Sequence, residues 1–208
     1  MGGMIALEFA LIDPRIQRAF LMAMGKAHTA WSIGLSHLQR QAIYQDPHWK
    51  EGGYTAEAAP SQGLSLARQI GMMTYRSPEN YEAKFGRDIR EITNHPYYQV
   101  ESYLDYQGQK LNKRFDALSY ERLTRSMDTH DISRDRGSFK EVAKQLTIPI
   151  HVVGILSDAL YPISEQKDLA QLLPNGQFTA LDSPYGHDAF LIEFDQLTHI
   201  LSRFLATT

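Results

Sequence analysis

Two residues of this 208-residue chain stand where acid–base chemistry could be done, Asp158 and His187. Each follows an apolar run that reads as a parallel strand, the first of them buried. The first run is Ile148 to Leu156 and ends in Ser157-Asp158; the second is Gln177 to Leu181. Ser183-Pro184-Tyr185-Gly186 then leads to His187, and a long apolar-periodic segment starts at once. An imidazole takes the proton of a hydroxyl nucleophile well only when a carboxylate fixes its tautomer and stabilises its cation. A strand-end aspartate followed by a loop histidine supplies that pair, in the chain order of a triad whose serine lies upstream. The same residues serve equally as a turn aspartate and a polar residue opening a helix, and spacing alone does not separate the two readings.

A second pair is Arg68 and Tyr75, seven residues apart and so on one helix face, with Met72 between them. An arginine there could clamp a carboxylate with two parallel hydrogen bonds. A solvated arginine beside a packed tyrosine fits the spacing as well. Asp128-Thr129-His130-Asp131 has metal-ligand residue types but no third histidine at a convincing spacing, and reads as a turn with no metal. His28, His37, His95 and His199 are given no role. No glycine pattern of a phosphate-cradling loop is present.

The elements that must position these residues alternate between strand and helix. Met4 to Ile12 reads as a largely buried helix stopping before Pro14, and Arg18 to Gly25 as a strand. From His28 onward strand-like runs give way to helical periodicity. Leu64 to Tyr75 is one helix, with Leu66, Ile70 and Met73 on one face; Val100 to Phe115 is the clearest, and Tyr120 to Met127 another. The α/β pattern then returns with the strands before Asp158 and His187, a helix over Ser164 to Leu173, and a terminal helix over Ala189 to Leu205. In that last helix Phe190, Phe194, Leu197, Leu201 and Phe204 or Leu205 are expected to face inward. The division is 1–27 and 137–208 as an α/β core, with 28–136 as an inserted helical cap.

Composition sets limits. A formal charge of −3 argues against a nucleic-acid footprint, and no apolar run approaches the roughly 20 residues that span a bilayer. With no cysteine, disulfides and thiolate chemistry are excluded, and a reducing cytoplasm is the default expectation.

Several stretches together resemble the homoserine O-acetyltransferase family, acyltransferases of methionine biosynthesis on the α/β-hydrolase fold. They are Met1-Gly2-Gly3-Met4-Ile5-Ala6-Leu7-Glu8, Arg40-Gln41-Ala42-Ile43 with Asp46-Pro47, and Gly63 to Arg68 running to Thr74-Tyr75-Arg76. Lys84 to Arg87, Val100 to Gly108, Arg114 to Ala117, Asp128 to Asp131 and Gly186 to Leu191 continue the match. Leu118 departs from the asparagine expected after Phe-Asp-Ala. The resemblance implies a partial α/β-hydrolase fold, with three parallel strands, flanking helices and an inserted helical cap. It implies that His187 is the general base and Asp158 its orienting acid. Arg68 and Tyr75 would line the substrate tunnel, the arginine on the acceptor's carboxylate, and Asp188 would face its amino group. L-Homoserine and acetyl-CoA are the implied substrates, with no cofactor beyond acetyl-CoA as co-substrate. A homodimer through the cap, by way of Val100 to Phe115, is the implied assembly. A succinyl donor or a serine acceptor fits the residues too.

In that family the nucleophile sits in G-x-S-M-G-G, and this sequence starts at the methionine. The expectation is therefore a chain without its serine, its elbow and both oxyanion donors, inactive as written. Its first strand would carry an unpaired apolar edge, so the isolated chain is expected to fold poorly or to associate. The competing expectation is a shortened, non-catalytic α/β protein that associates with other chains.

Overall fold

The computed structural model describes residues 1–206. In chain order the elements are α1 (Gly2–Ile12), β1 (Ala19–Met22), α2 (Ala30–Tyr44), α3 (Ser61–Tyr75), α4 (Pro78–Phe85), β2 (Ile89–Ile92) and β3 (Pro96–Tyr98). They continue with α5 (Gln99–Asn112), α6 (Ala117–Asp128), α7 (Phe139–Ala143), β4 (Ile150–Ile155), α8 (Ile163–Leu172), β5 (Gly176–Leu181) and α9 (Phe194–Ala206). Two compact units divide them: Met1–His28 with His130–Thr208, and Thr29–Thr129.

The first unit is built on a parallel sheet in the order β1-β4-β5. All six residues of β4 are buried, as expected of an Ile/Val-rich centre strand covered on both faces. Its register pairs Ala19 with Ile150 on one side, and Ile150 with Gly176 through to Ile155 with Leu181 on the other. Strands β4 and β5 therefore end level, and the loops that follow them leave from one edge. Helix α8 makes the crossover. It begins after Pro162, buries Leu169 and Ala170, and gives way just before Pro174. Ala23, Val153, Ile155, Leu181, Ala189 and Leu197 form a common core.

Two helices of this unit differ from the sequence reading. The expected terminal helix is two pieces: a 3-10 turn over Gly186–Leu191, then α9. The break shifts the helical phase. Leu197 and Phe204 are buried, whereas Phe194, Leu201 and Leu205 are exposed. Helix α1 buries only Met4 and Leu7, and leaves Ile5, Phe9 and Ile12 at 48%, 50% and 66% exposure. A helix apolar on both faces normally packs on both, and beside it β1 has a strand partner on one side only among the described residues.

The second unit is mainly helical. Ile43, Leu64, Ala67, Leu111 and Ala117 make its core. Helices α3 and α5 touch at Gly108, where an added methyl would lie 2.1 Å from the Ser65 Oγ. The face of α3 that carries Leu66, Ile70 and Met73 is not the buried one. Gly63, Leu64, Ala67, Gly71 and Met72 are buried, while Leu66 and Met73 are half exposed. Small residues are what allow the close approach, and an apolar-period rule passes over them. The unit is also not free of strands: β2 and β3 form an antiparallel hairpin around Thr93-Asn94-His95, two runs too short and too exposed to show as strands in the sequence.

A buried aspartate starts α3. The Asp46 Oδ2 accepts the Gly63 N–H at 2.8 Å, and its Oδ1 accepts the His48 N–H at 2.9 Å. Burial acts to raise this carboxyl's pKa, but the Gly63 and His48 hydrogen bonds outweigh it and hold it below the ordinary value. Asp46 thus does the work of an N-cap from outside the helix, since Pro60 at the cap position has no side chain that accepts. Asp46→Ala is expected to lower stability by about 1 kcal/mol, the usual weight of a lost cap. An unchanged denaturant midpoint would count against this capping role.

In the first unit the rings of His151, Phe20 and Phe204 pack against one another in a triangle. Its Nδ1 lies 3.1 Å from the Gln177 Oε1 and its Nε2 2.9 Å from the Thr179 Oγ1. Burial pushes its pKa below 6.5, only partly offset by Gln177. The unfolded chain then binds the proton more readily, so this contribution to stability is whole above about pH 6.5 and is lost as pH falls below it. Melting temperature is expected to drop with acidification through that range, and less steeply in His151→Gln. Parallel pH profiles of the two proteins would contradict this.

Candidate active site

The level ends of β4 and β5 send two loops side by side, and a serine stitches them. The Ser157 Oγ donates to the Ser183 carbonyl at 2.5 Å and accepts the Gly186 N–H at 3.0 Å. Ser183 in turn accepts the Tyr185 N–H through its own Oγ, at 3.2 Å. The Leu156 N–H reaches the Leu181 carbonyl at 3.1 Å and carries the strand pairing one step into the loops. Gly186 has φ of +64°, a left-handed conformation that costs glycine little and a branched residue much. That twist turns the chain into the 3-10 segment that presents His187.

The result is a short contact between acid and base. The His187 Nδ1 lies 2.8 Å from the Asp158 Oδ2. The carboxylate of Asp158 is fully buried and the imidazole mostly so, at 16% exposure. The other oxygen, Oδ1, accepts the backbone N–H of Leu160 at 2.8 Å and of Tyr161 at 2.9 Å. Three donors thus converge on one carboxylate, which leaves it little freedom to rotate. A carboxylate can only accept, so the proton of this bond sits on Nδ1 and Nε2 is the basic atom of neutral His187. The ring is bracketed by Tyr161, tilted by 39° at 5.5 Å, and by Phe190, edge-on at 5.4 Å. Asp158 and His187 are thereby brought together as a dyad able to take a proton from a hydroxyl. Asp188 follows directly in the same 3-10 turn and is half-buried.

Ser157 and Ser183, the two serines nearest in sequence to the dyad, are occupied in bracing the loops. The side chains of the Asp128 to Asp131 stretch have separate partners. The Asp131 Oδ1 accepts the Ser133 N–H and O–H, the His130 Nε2 lies 3.3 Å from the Gly25 carbonyl, and the Asp128 Oδ2 pairs with Arg40 at 2.6 Å.

In the second unit Arg68 and Tyr75 lie together on α3, with the guanidinium over the tyrosine ring at 5.1 Å. Gly71 between them leaves room for this, since a methyl there would stand 3.3 Å from the Tyr75 hydroxyl and 3.5 Å from that of Tyr120. Tyr120 donates to the Gln39 Oε1 at 2.5 Å. Burial, with Tyr75 adding to it, drives its pKa far above the ordinary phenol range, while Arg68 opposes. An arginine stacked on an aromatic face is oriented and pre-paid in entropy, as a carboxylate clamp requires.

The structure brings together the two residues that the sequence singled out, Asp158 and His187, and adds neighbours that the sequence did not. Tyr161 and the bracing serines give no periodic signal, and the period that includes Phe190 reads as helix packing rather than as a wall beside His187. His28, assigned no role, is buried and shares a hydrogen bond with Tyr161.

Comparison with known proteins agrees with this fold. The family model for the alpha/beta hydrolase fold matches residues 1–194. The chain is 48% identical over 207 residues to homoserine O-acetyltransferase of Chlorobium chlorochromatii, covering 99% of this chain and 58% of that one. It is 45% identical to the enzyme of the same name from Salinibacter ruber, covering 60% of it. The chain thus spans about three fifths of the length of these curated relatives. A crystal structure of homoserine O-acetyltransferase from Bacillus anthracis superposes with a TM-score of 0.91 at 22% identity, over the whole of this chain and 58% of that one. With a parallel sheet crossed by helices, an acid and a base on adjacent strand-end loops and a family match over most of its length, the chain belongs to the alpha/beta hydrolase fold family.

Proposed function

We propose that this chain carries the acid and base of an acyltransferase that moves an acetyl group from acetyl-CoA to the hydroxyl of L-homoserine. The observation that carries the reading is the 2.8 Å Asp158–His187 contact. The names of its relatives direct that dyad to acyl transfer rather than to another use of a basic imidazole.

A serine hydroxyl completes such a triad, and we place it on polypeptide that pairs with the open edge of β1. Two features support that placement. β1 lacks a second strand partner among the described residues, and α1, which packs on β1, leaves apolar residues exposed. The length of the curated relatives is a third. An open apolar edge of this kind otherwise favours association with other chains, the competing expectation.

Chemistry then proceeds in two steps. The serine oxygen attacks the thioester carbon as its proton passes to the His187 Nε2, and Asp158 stabilises the imidazolium. The C–S bond breaks, the thiolate leaves with that proton, and an acyl ester remains on the serine. The hydroxyl of homoserine next gives its proton to Nε2 and attacks the ester, and the serine recovers the proton as the product leaves. Arg68, held against Tyr75, is assigned to the acceptor's carboxylate, and Asp188 to its ammonium. No cofactor is needed beyond acetyl-CoA as co-substrate. Homodimerisation through the inserted unit, by way of α5, belongs to the same reading. No helix of the described residues is long and apolar enough to cross a membrane.

The test is CoA release from acetyl-CoA by the protein together with the segment that supplies the serine, with and without L-homoserine. Release is expected to depend on homoserine; equal release in water alone would make the protein an esterase. Asp158→Asn is expected to lower kcat by on the order of 10⁴, the cost of holding the base in the wrong tautomer. Arg68→Lys is expected to raise KM for homoserine at least about tenfold with kcat less affected, since one ammonium does not replace a forked guanidinium. A KM unchanged by Arg68→Lys would remove the carboxylate assignment.

A further inference from the structure

We propose that His28 and Tyr161 are positioning residues for His187: His28 anchors the Tyr161 hydroxyl, and the anchored ring sets the rotation of the His187 imidazole. The inference rests on the reading of His187 as the base. The contact that suggests it joins residues 133 positions apart, with the Tyr161 hydroxyl 3.0 Å from the His28 Nδ1. Both are buried, at 2% and 6% exposure. A phenylalanine and an apolar partner would fill the same space without a polar group to satisfy, so packing alone does not call for this pair.

Tyr161 is held at every polar atom it has. Its N–H donates to the Asp158 Oδ1 at 2.9 Å, its carbonyl accepts the Gln166 Nε2 at 2.7 Å, and its hydroxyl meets His28. The His28 backbone is fixed in turn, with its N–H donating to the His130 carbonyl at 2.8 Å beside the Ala27–Asp131 bridge. His187 needs such a frame. The bond from Nδ1 to Asp158 fixes one point of the ring but not the tilt about it, and the tilt decides where Nε2 points. Tyr161 and Phe190 supply the two walls. The Tyr161 wall is tied both to the acid, through its N–H, and to His28, through its hydroxyl. Acid, wall and base therefore share one hydrogen-bonded frame, and such preorganisation is what a proton transfer demands of its base.

The experiment compares Tyr161→Phe, His28→Leu and His28→Asn with the parent 208-residue chain, reading by NMR how fast the His187 Nδ1 proton exchanges with water. Tyr161→Phe and His28→Leu are each expected to speed exchange roughly fivefold, the equilibrium weight of one net hydrogen bond. His28→Asn, which keeps a polar atom near the place of Nδ1, is expected to stay within about twofold of the parent. A lower melting temperature with unchanged exchange in Tyr161→Phe would reduce the pair to a structural contact and overturn the proposal. Faster exchange in Tyr161→Phe but not in His28→Leu would also overturn it, because the hydroxyl would then be anchored elsewhere. In the assembled enzyme Tyr161→Phe is expected to lower kcat and leave KM for homoserine in place. If His187→Ala instead kept full turnover, the acid–base reading would fail while the exchange result stood on its own.

Discussion

The Asp158 carboxylate is the point on which the site depends. It is buried, with no arginine or lysine paired with it among the described residues, and three hydrogen-bond donors hold it: two backbone N–H groups from its own turn and the imidazole of His187. Burying a carboxylate is costly unless its lone pairs are filled. Here the turn Asp158 to Tyr161 fills Oδ1 from the backbone and leaves Oδ2 for one outside donor. The acid thus selects the tautomer of the base, and the turn that satisfies the acid also delivers the tyrosine that walls the base. Removing any one of these groups disturbs the other two.

Upstream of that carboxylate lies a constraint of register. Six consecutive Cα pairs between β4 and β5 place the two strand ends level. A slip by one residue would turn every side chain of a strand to the opposite face of the sheet and separate the loops. Ser157 bridges from one loop to the Ser183 carbonyl and the Gly186 N–H of the other. That bridge and the left-handed Gly186 convert alignment of strands into alignment of side chains. The contact between Asp158 and His187 is therefore a consequence of strand pairing, with the Ser157 hydroxyl bracing the two loops.

How much of this was legible follows from the range of the interactions. The strands before Asp158 and His187 are legible because each is a short, largely apolar run closed by turn residues, too short for a helix of ordinary length. The helix α5 showed through its i, i+3, i+4 period. The break between the 3-10 turn and α9 did not, because apolar residues run through it without interruption, and so Phe194 and Leu201 were assigned to the wrong side. The buried face of α3 escaped for the opposite reason: Gly63, Ala67 and Gly71 are small, and close backbone approach leaves no apolar signature. The β2–β3 hairpin is short and exposed. The contact between His28 and Tyr161 could not be read at all, because nothing local links positions 133 apart.

The arrangement of proton donors in the dyad is the central claim, and the ring nitrogens of His187 report it directly. Nitrogen-15 chemical shifts of the histidine-labelled chain, recorded above the titration of the imidazole, distinguish a nitrogen that carries hydrogen from one that carries a lone pair. The account predicts that His187 is protonated at Nδ1 and bare at Nε2, and that Asp158→Asn abolishes this preference. A neutral His187 carrying its proton on Nε2 in the unmodified chain would contradict it, because the atom meant to accept the nucleophile's proton would already hold one.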